Sequence, residues 1–172
     1  IGSLEHPFTG KFYGEKHSIK SLTIEKDKNS KGVGFFGAIK GSVVKDLNIE
    51  NANVKGGSVI GVLAGEAQVD ASAGKNNLIA HCKVSGVVES KGERFIKVAD
   101  AGGLVGAAQE KTDPNTYDYA TTTIFDAHAD VKVTADTGAN DKATSGHVGG
   151  LVGHNKGKII DSSSKGDVLG GN

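Results

Sequence analysis

The sequence predicts an all-β fold: a right-handed parallel β-helix (solenoid) of about five coils, with loop insertions at two corners. Three observations carry that expectation. An apolar ladder of the form x-φ-x-x-φ-x-φ occurs five times, starting at Ile19, Val44, Ile79, Ile124 and Ile159. Each copy follows a glycine-bracketed apolar block: Gly10–Gly14, Gly34–Gly37, Gly61–Gly65, Gly103–Gly106 and Gly150–Gly153. The composition, with 26 Gly, 5% aromatic residues and no Met or Trp, suits a narrow interior between closely spaced strands. One unit cannot bury its own apolar face, so successive units must stack.

Within a unit, the Gly block reads as a short strand followed by a corner. The ladder then starts a second strand. Its step from the first to the second apolar residue, three positions, breaks the strand period of two, as a chain turning a corner does. The next step, from Leu47 to Ile49 or Cys82 to Val84, restores alternation. A third short strand follows, with Gly86 and Val88, Val131 and Val133, or Gly166 and Val168 inward. In the second copy Ala52 and Val54 come one place later, which predicts a one-residue bulge. Equivalent inward residues are expected to stack, Ile19 on Val44 and Val44 on Ile79. Cys82 occupies an inward position and reads as a small buried hydrophobe rather than a reactive thiol.

Ladder starts are separated by 25, 35, 45 and 35 residues. The extra length falls between Gly block and ladder, as at 66–78 and 107–123, or after the third strand, as at 134–149. Insertion at fixed corners leaves a stack undisturbed. The whole of 1–172 reads as one domain, with coils of roughly 1–28, 29–56, 57–92, 93–138 and 139–172. Toward the C-terminus the second rung position thins from Leu47 to Ala127 and Ser162, which anticipates a weaker last coil. The chain opens on Ile1 without Met or a signal peptide and closes just after a ladder, so an excerpt of a longer chain is expected.

Twenty basic and twenty acidic residues cancel. No basic stripe marks a nucleic-acid partner, and no apolar run reaches the ~18 residues of a membrane span. One cysteine excludes an internal disulfide framework.

The segment from Gly150 through Val168, Gly-Leu-Val-Gly-His-Asn-Lys-Gly-Lys-Ile-Ile-Asp-Ser-Ser-Ser-Lys-Gly-Asp-Val, resembles the GLUG motif of bacterial surface proteins. Gly103–Gly106 opens another such copy, and Pro7 to Ile24 is similar to the coil that precedes these repeats. The resemblance implies a segment of a large secreted or wall-anchored bacterial protein, extracellular or at the cell surface. It is found both in adhesin-like proteins and in IgA1-specific zinc metallopeptidases, where it would lie outside the catalytic domain.

No catalytic motif is visible. A zinc peptidase needs His-Glu-x-x-His, so that two imidazoles on one helix face meet the metal, and the six histidines include no such pair. His81 and His128 are expected outward and solvated. His147 and His154 flank one Gly block, but no metal or other cofactor is expected. Ser163 beside Asp161 has no histidine evidently placed with it. Asp46, Asp126 and Asp161 occupy the same ladder position and form a partial outward acidic column. The candidate ligand-binding residues are Asp113, Asn115, Tyr117, Asp118 and Tyr119, where tyrosine faces and side-chain oxygens could meet a sugar. The expected function is therefore noncatalytic: an adhesin or stalk whose loops contact a host glycoprotein or glycan. Two alternatives stand beside it, a substrate-holding accessory region of an IgA1-type metallopeptidase and a glycan-cleaving β-helix.

Overall fold

The computed structural model describes residues 1–91, 100–115, 118–136 and 146–170. Among them every regular element is a strand, and no helix is long and apolar enough to cross a membrane. Apart from one antiparallel strand, Glu110–Thr112, the strands stack in parallel into four open sheets. The first sheet holds Lys11–Tyr13, Val43–Lys45, Asn77–Ala80, Tyr119–Phe125 and Lys158–Ile160. The second holds Ser18–Lys20 with Thr23–Glu25, then Asn48–Gly56, Lys83–Lys91, His128–Asp136, and Ser163–Lys165 with Val168–Gly170. Lys31–Val33, Ser58–Ile60, Asp100–Gly102 and His147–Gly149 make the third sheet. Phe36–Lys40, Ala64–Gln68, Val105–Ala108 and Val152–Asn155 make the fourth. The chain visits the sheets in a fixed rotation, first, second, third, fourth, and then begins again. That order is consistent with a β-helix or solenoid.

The Gly blocks differ in part from expectation. From the second block onward, each is the tight turn after a third-sheet strand together with the first two residues of the fourth-sheet strand that follows. Phe36–Gly37, Ala64–Gly65, Val105–Gly106 and Val152–Gly153 are strand, as expected, and the residues before them are the turn. A Cβ on Gly102 would collide with the carbonyl oxygen of Val105, and one on Gly149 with that of Val152. The turn is too sharp for a side chain, which is why glycine recurs there. The ladder is the first-to-second sheet corner. In the middle three copies the expected third strand is the second half of one long second-sheet strand, whereas in the last copy Val168–Gly170 is a separate strand, as expected.

Stacking follows the ladders from the second copy onward. Val44 pairs with Ile79, Ile79 with Ile124, and Ile124 with Ile159. The first copy is offset. Phe12, not Ile19, lies beside Val44, while Ile19 lies beside Ile49 and Ile24 beside Val54. Gly10–Gly14 is therefore first-sheet strand and corner, not a Gly-block turn. Its apolar spacing mimics the others, and that hid the shift. The predicted bulge is present: the register slips by one residue opposite Val84–Gly86, where Glu50 and Asn51 stand against Ser85.

The core is a column of small and branched side chains. Val44, Ile49, Ile79, Val54, Val88, Ile124 and Val133 are fully buried. Each contributes roughly 1.5–3 kcal/mol by leaving water. Cys82 points inward as expected, and burial raises its thiol pKa to about 11. A polar column runs beside it. The Asn77 carboxamide accepts from Ser42 N at 3.0 Å and donates to the Gln68 carbonyl and to Thr122 Oγ1. Residues 1–8 lie over the first fourth-sheet strand, with Gly37 N donating to Ile1 O at 2.8 Å and Phe8 N to Ala38 O at 2.9 Å. Phe8 of that segment clusters with Phe12, Phe35 and Phe36, with centroids 4.9–5.7 Å apart in the closest pairs. At the opposite end Ile159, Ile160, Val168 and Leu169 are exposed. These residues belong to the last described rung, whose strands pair only with the rung before it.

Candidate functional site

The corner between the first and second sheets builds a polar strip along the stack. Asp46, His81, Asp126 and Asp161 occupy equivalent corner positions, each with φ between 45° and 56°. That left-handed conformation costs most side chains about 1–2 kcal/mol, and Asp tolerates it better than most. Local backbone need, then, accounts for Asp recurring at this ladder position. Next to this column, Ser18, Asn48, Lys83, His128 and Ser163 follow one another on adjacent strands. One residue pair further on come Lys20, Glu50, Ser85, Asp130 and Lys165. Asp46, Asn48, His81, Lys83 and Asp126 line a shallow groove, which continues past His128 to Ser163.

Within the strip one hydrogen-bonded chain crosses three rungs. His81 Nδ1 lies 2.7 Å from Asp126 Oδ2, and His128 Nε2 lies 3.0 Å from Asp126 Oδ1. His128 Nδ1 lies 2.8 Å from Ser163 Oγ. The bonds to His81 and, second, to His128 hold the Asp126 carboxyl below the usual carboxylate range. The sequence expectation that Ser163 has no histidine is overturned: its neighbour comes from the preceding rung, 35 residues away. Adding the rung length to a position is the signal that would have found it. A neutral His128 donating from Nε2 to Asp126 can accept the Ser163 hydroxyl at Nδ1. That is a serine–histidine–aspartate line with the two ring nitrogens exchanged relative to the serine hydrolases. His81 and His128 face outward, as expected, but both are tied to Asp126.

The proposed sugar-contacting loop is a β-hairpin. Glu110–Thr112 pairs antiparallel with the start of Tyr119–Phe125. Asp113 N donates to Asp118 O at 2.8 Å, and Asn115 N to Asp113 Oδ1 at 2.8 Å, closing the turn. Tyr119 is exposed, donates its hydroxyl to Glu110 Oε2 at 2.5 Å and lies under the Lys158 ammonium. That bond to Glu110 raises the phenol pKa of Tyr119. Tyr117 lies outside the described residues. The hairpin packs on the insert after Gln68, through Thr121 N to Asn76 Oδ1 at 2.8 Å and an apolar cluster of Val69, Ala71 and Ala120. Tyr119 and Asp126 sit at opposite ends of one strand, roughly 23 Å apart, so hairpin and strip are separate surfaces.

A third arrangement was not legible in the ladders. Asp100 stands beside His147 in the third sheet, and His154 approaches from the fourth. Asp100 follows an insert and belongs to no ladder. Aligning Asp-Ala-Gly-Gly at 100–103 with His-Val-Gly-Gly at 147–150 would have paired it with His147.

The model of the GLUG motif matches residues 144–169, the same stretch that carries the resemblance in the sequence. Halomucin of Haloquadratum walsbyi (strain DSM 16790 / HBSQ001) is 26% identical over 106 residues, which is 61% of this chain and 1% of that protein. The chain therefore spans a very small part of that relative. No solved structure matches.

Proposed function

We propose that this chain is a noncatalytic segment of a cell-surface or secreted protein, a right-handed parallel β-helix of about five coils whose polar strip holds a glycan or glycoprotein segment. The observation that carries the reading is the strip itself. Three rows of outward polar side chains cross successive strands, so donors and acceptors recur every ~4.8 Å along the stack. An extended polyhydroxylated chain laid along that axis would meet carboxylates, imidazoles and ammonium groups in turn. The GLUG match and the likeness to a protein named halomucin support a surface or extracellular setting. The openness of the strip supports binding over cleavage. His81, Asp126 and Ser163 are solvated, whereas an orienting acid in a serine-type site is buried against its histidine.

The test is a glycan and host-glycoprotein array probed with three proteins. These are the wild type, a His81→Ala/Lys83→Ala/His128→Ala variant, and a form with residues 110–120 replaced by a Gly/Ser linker. Binding lost in the triple variant and kept in the linker form is the expected result. Loss in the linker form alone would move the site to Asp113, Asn115, Asp118 and Tyr119. No binding by any form would leave a spacer. Sugar release by the wild type that disappears in Asp126→Asn would replace the noncatalytic reading with glycan cleavage.

A further inference from the structure

We propose that Asp100, His147 and His154 form a binding site for one divalent transition-metal ion of the zinc class. His147 Nδ1 lies 2.8 Å from Asp100 Oδ1, and His154 Nδ1 lies 3.5 Å from Asp100 Oδ2. The two imidazoles lie with centroids 4.4 Å apart and planes tilted by 35°, and one ligand atom from each of the three residues falls within 4.8 Å of the others. Zinc bonds of ~2.0–2.2 Å in tetrahedral geometry place ligand atoms roughly 3.3 Å apart, so small side-chain shifts suffice to admit the ion.

The donor set fits this chemistry. Two neutral imidazoles and one carboxylate suit zinc and its neighbours, while calcium and magnesium prefer oxygen alone. The Asp100 side chain is only 6% exposed, and its ion-pair partners among the described residues are the two histidines. A buried carboxylate needs a cation or strong donors close by. His147 is 47% and His154 33% exposed, so the open side of the cluster faces water. Three protein ligands leave a fourth position for a water molecule.

The fold brings these residues together through the Gly-block turn. His147 and His154 bracket it, and the sharp reversal at Gly149–Gly150 folds the two strands back toward each other. Asp100 enters from the neighbouring rung in register with His147. The ion would thus clip two rungs across two sheets.

The experiment titrates Zn2+ into chelator-stripped protein near neutral pH by calorimetry, with Co2+ absorption as a readout of coordination geometry. One ion per chain, tetrahedral cobalt bands and a raised Tm are expected. Ligand loss should weaken binding by more than the 10–100-fold typical of outer-shell changes, so His147→Ala and His154→Ala should each exceed that range. Asp100→Asn tests the carboxylate. Because Asp100 is buried and its variant could fail to fold, the His147→Ala/His154→Ala double variant carries the decision. His81→Ala/His128→Ala should bind as the wild type does. No saturable binding up to about 1 mM Zn2+, or binding that survives the double variant, overturns the site.

Discussion

At the scale of single residues, backbone geometry explains more of this sequence than chemistry does. Glycine at 102 leaves room for the carbonyl of Val105 and the amide of Gly153. Gly102→Ala should destabilise the protein by about 1–3 kcal/mol or more, because backbone must move to admit a methyl group. Gly74→Ala adds no contact within 4 Å but keeps a φ of +58°, so it should cost about 1 kcal/mol. Urea denaturation of both variants checks the order; equal costs would mean the Gly102 turn relaxes freely. The same distinction explains what the sequence disclosed at this scale. Inward and outward assignment follows from alternation alone, so Cys82 inside and His81 and His128 outside were legible. Partnership between Ser163 and His128, or Asp100 and His147, depends on the offset between rungs. Inserts of unequal length conceal that offset.

At the scale of the strand, the first-sheet column Val44–Ile79–Ile124–Ile159 offers an internal comparison. Ile79 is fully buried between two apolar neighbours, whereas Ile159 is 41% exposed. Ile79→Ala should cost about 2–5 kcal/mol. Ile159→Ala should cost about 1 kcal/mol or less, since little of its surface leaves water on folding. Similar thermal shifts for the two would show that the last strand is covered in solution. The ladder announced this column correctly from its second copy onward and misplaced the first. Phe12 and Ile19 both present an apolar residue at a plausible spacing, and only cross-strand pairing separates them. The hairpin at 110–121 was hidden for a different reason. Its strands, Glu110–Thr112 and Tyr119–Thr121, are short and polar and carry no strong alternation.

At the scale of the molecule, each rung pairs its strands with those of its neighbours, so stability is expected to vary along the stack. One end is covered by residues 1–8, whose Phe8 joins Phe12, Phe35 and Phe36 in an aromatic cluster, while the other exposes Ile160, Val168 and Leu169. Amide hydrogen exchange should therefore be fastest in Ser163–Lys165 and Val168–Gly170. It should be slowest in Lys83–Lys91, which is paired on both edges. Uniform protection throughout would mean one cooperative unit instead of a graded stack.

The parallel pairing has a mechanical consequence. Hydrogen bonds between sheets' successive strands all point along the stack, from one rung to the next. Tension applied between Ile1 and Leu169 would load the rungs in series, so they would peel one at a time instead of sharing the force. A rung such as Val44 to Ile79 holds 35 residues. Released, it pays out roughly 120 Å of chain. Under drag the molecule would lengthen in steps, beginning where the side chains are least covered, and its intact rungs would keep their pairing while the pull was absorbed.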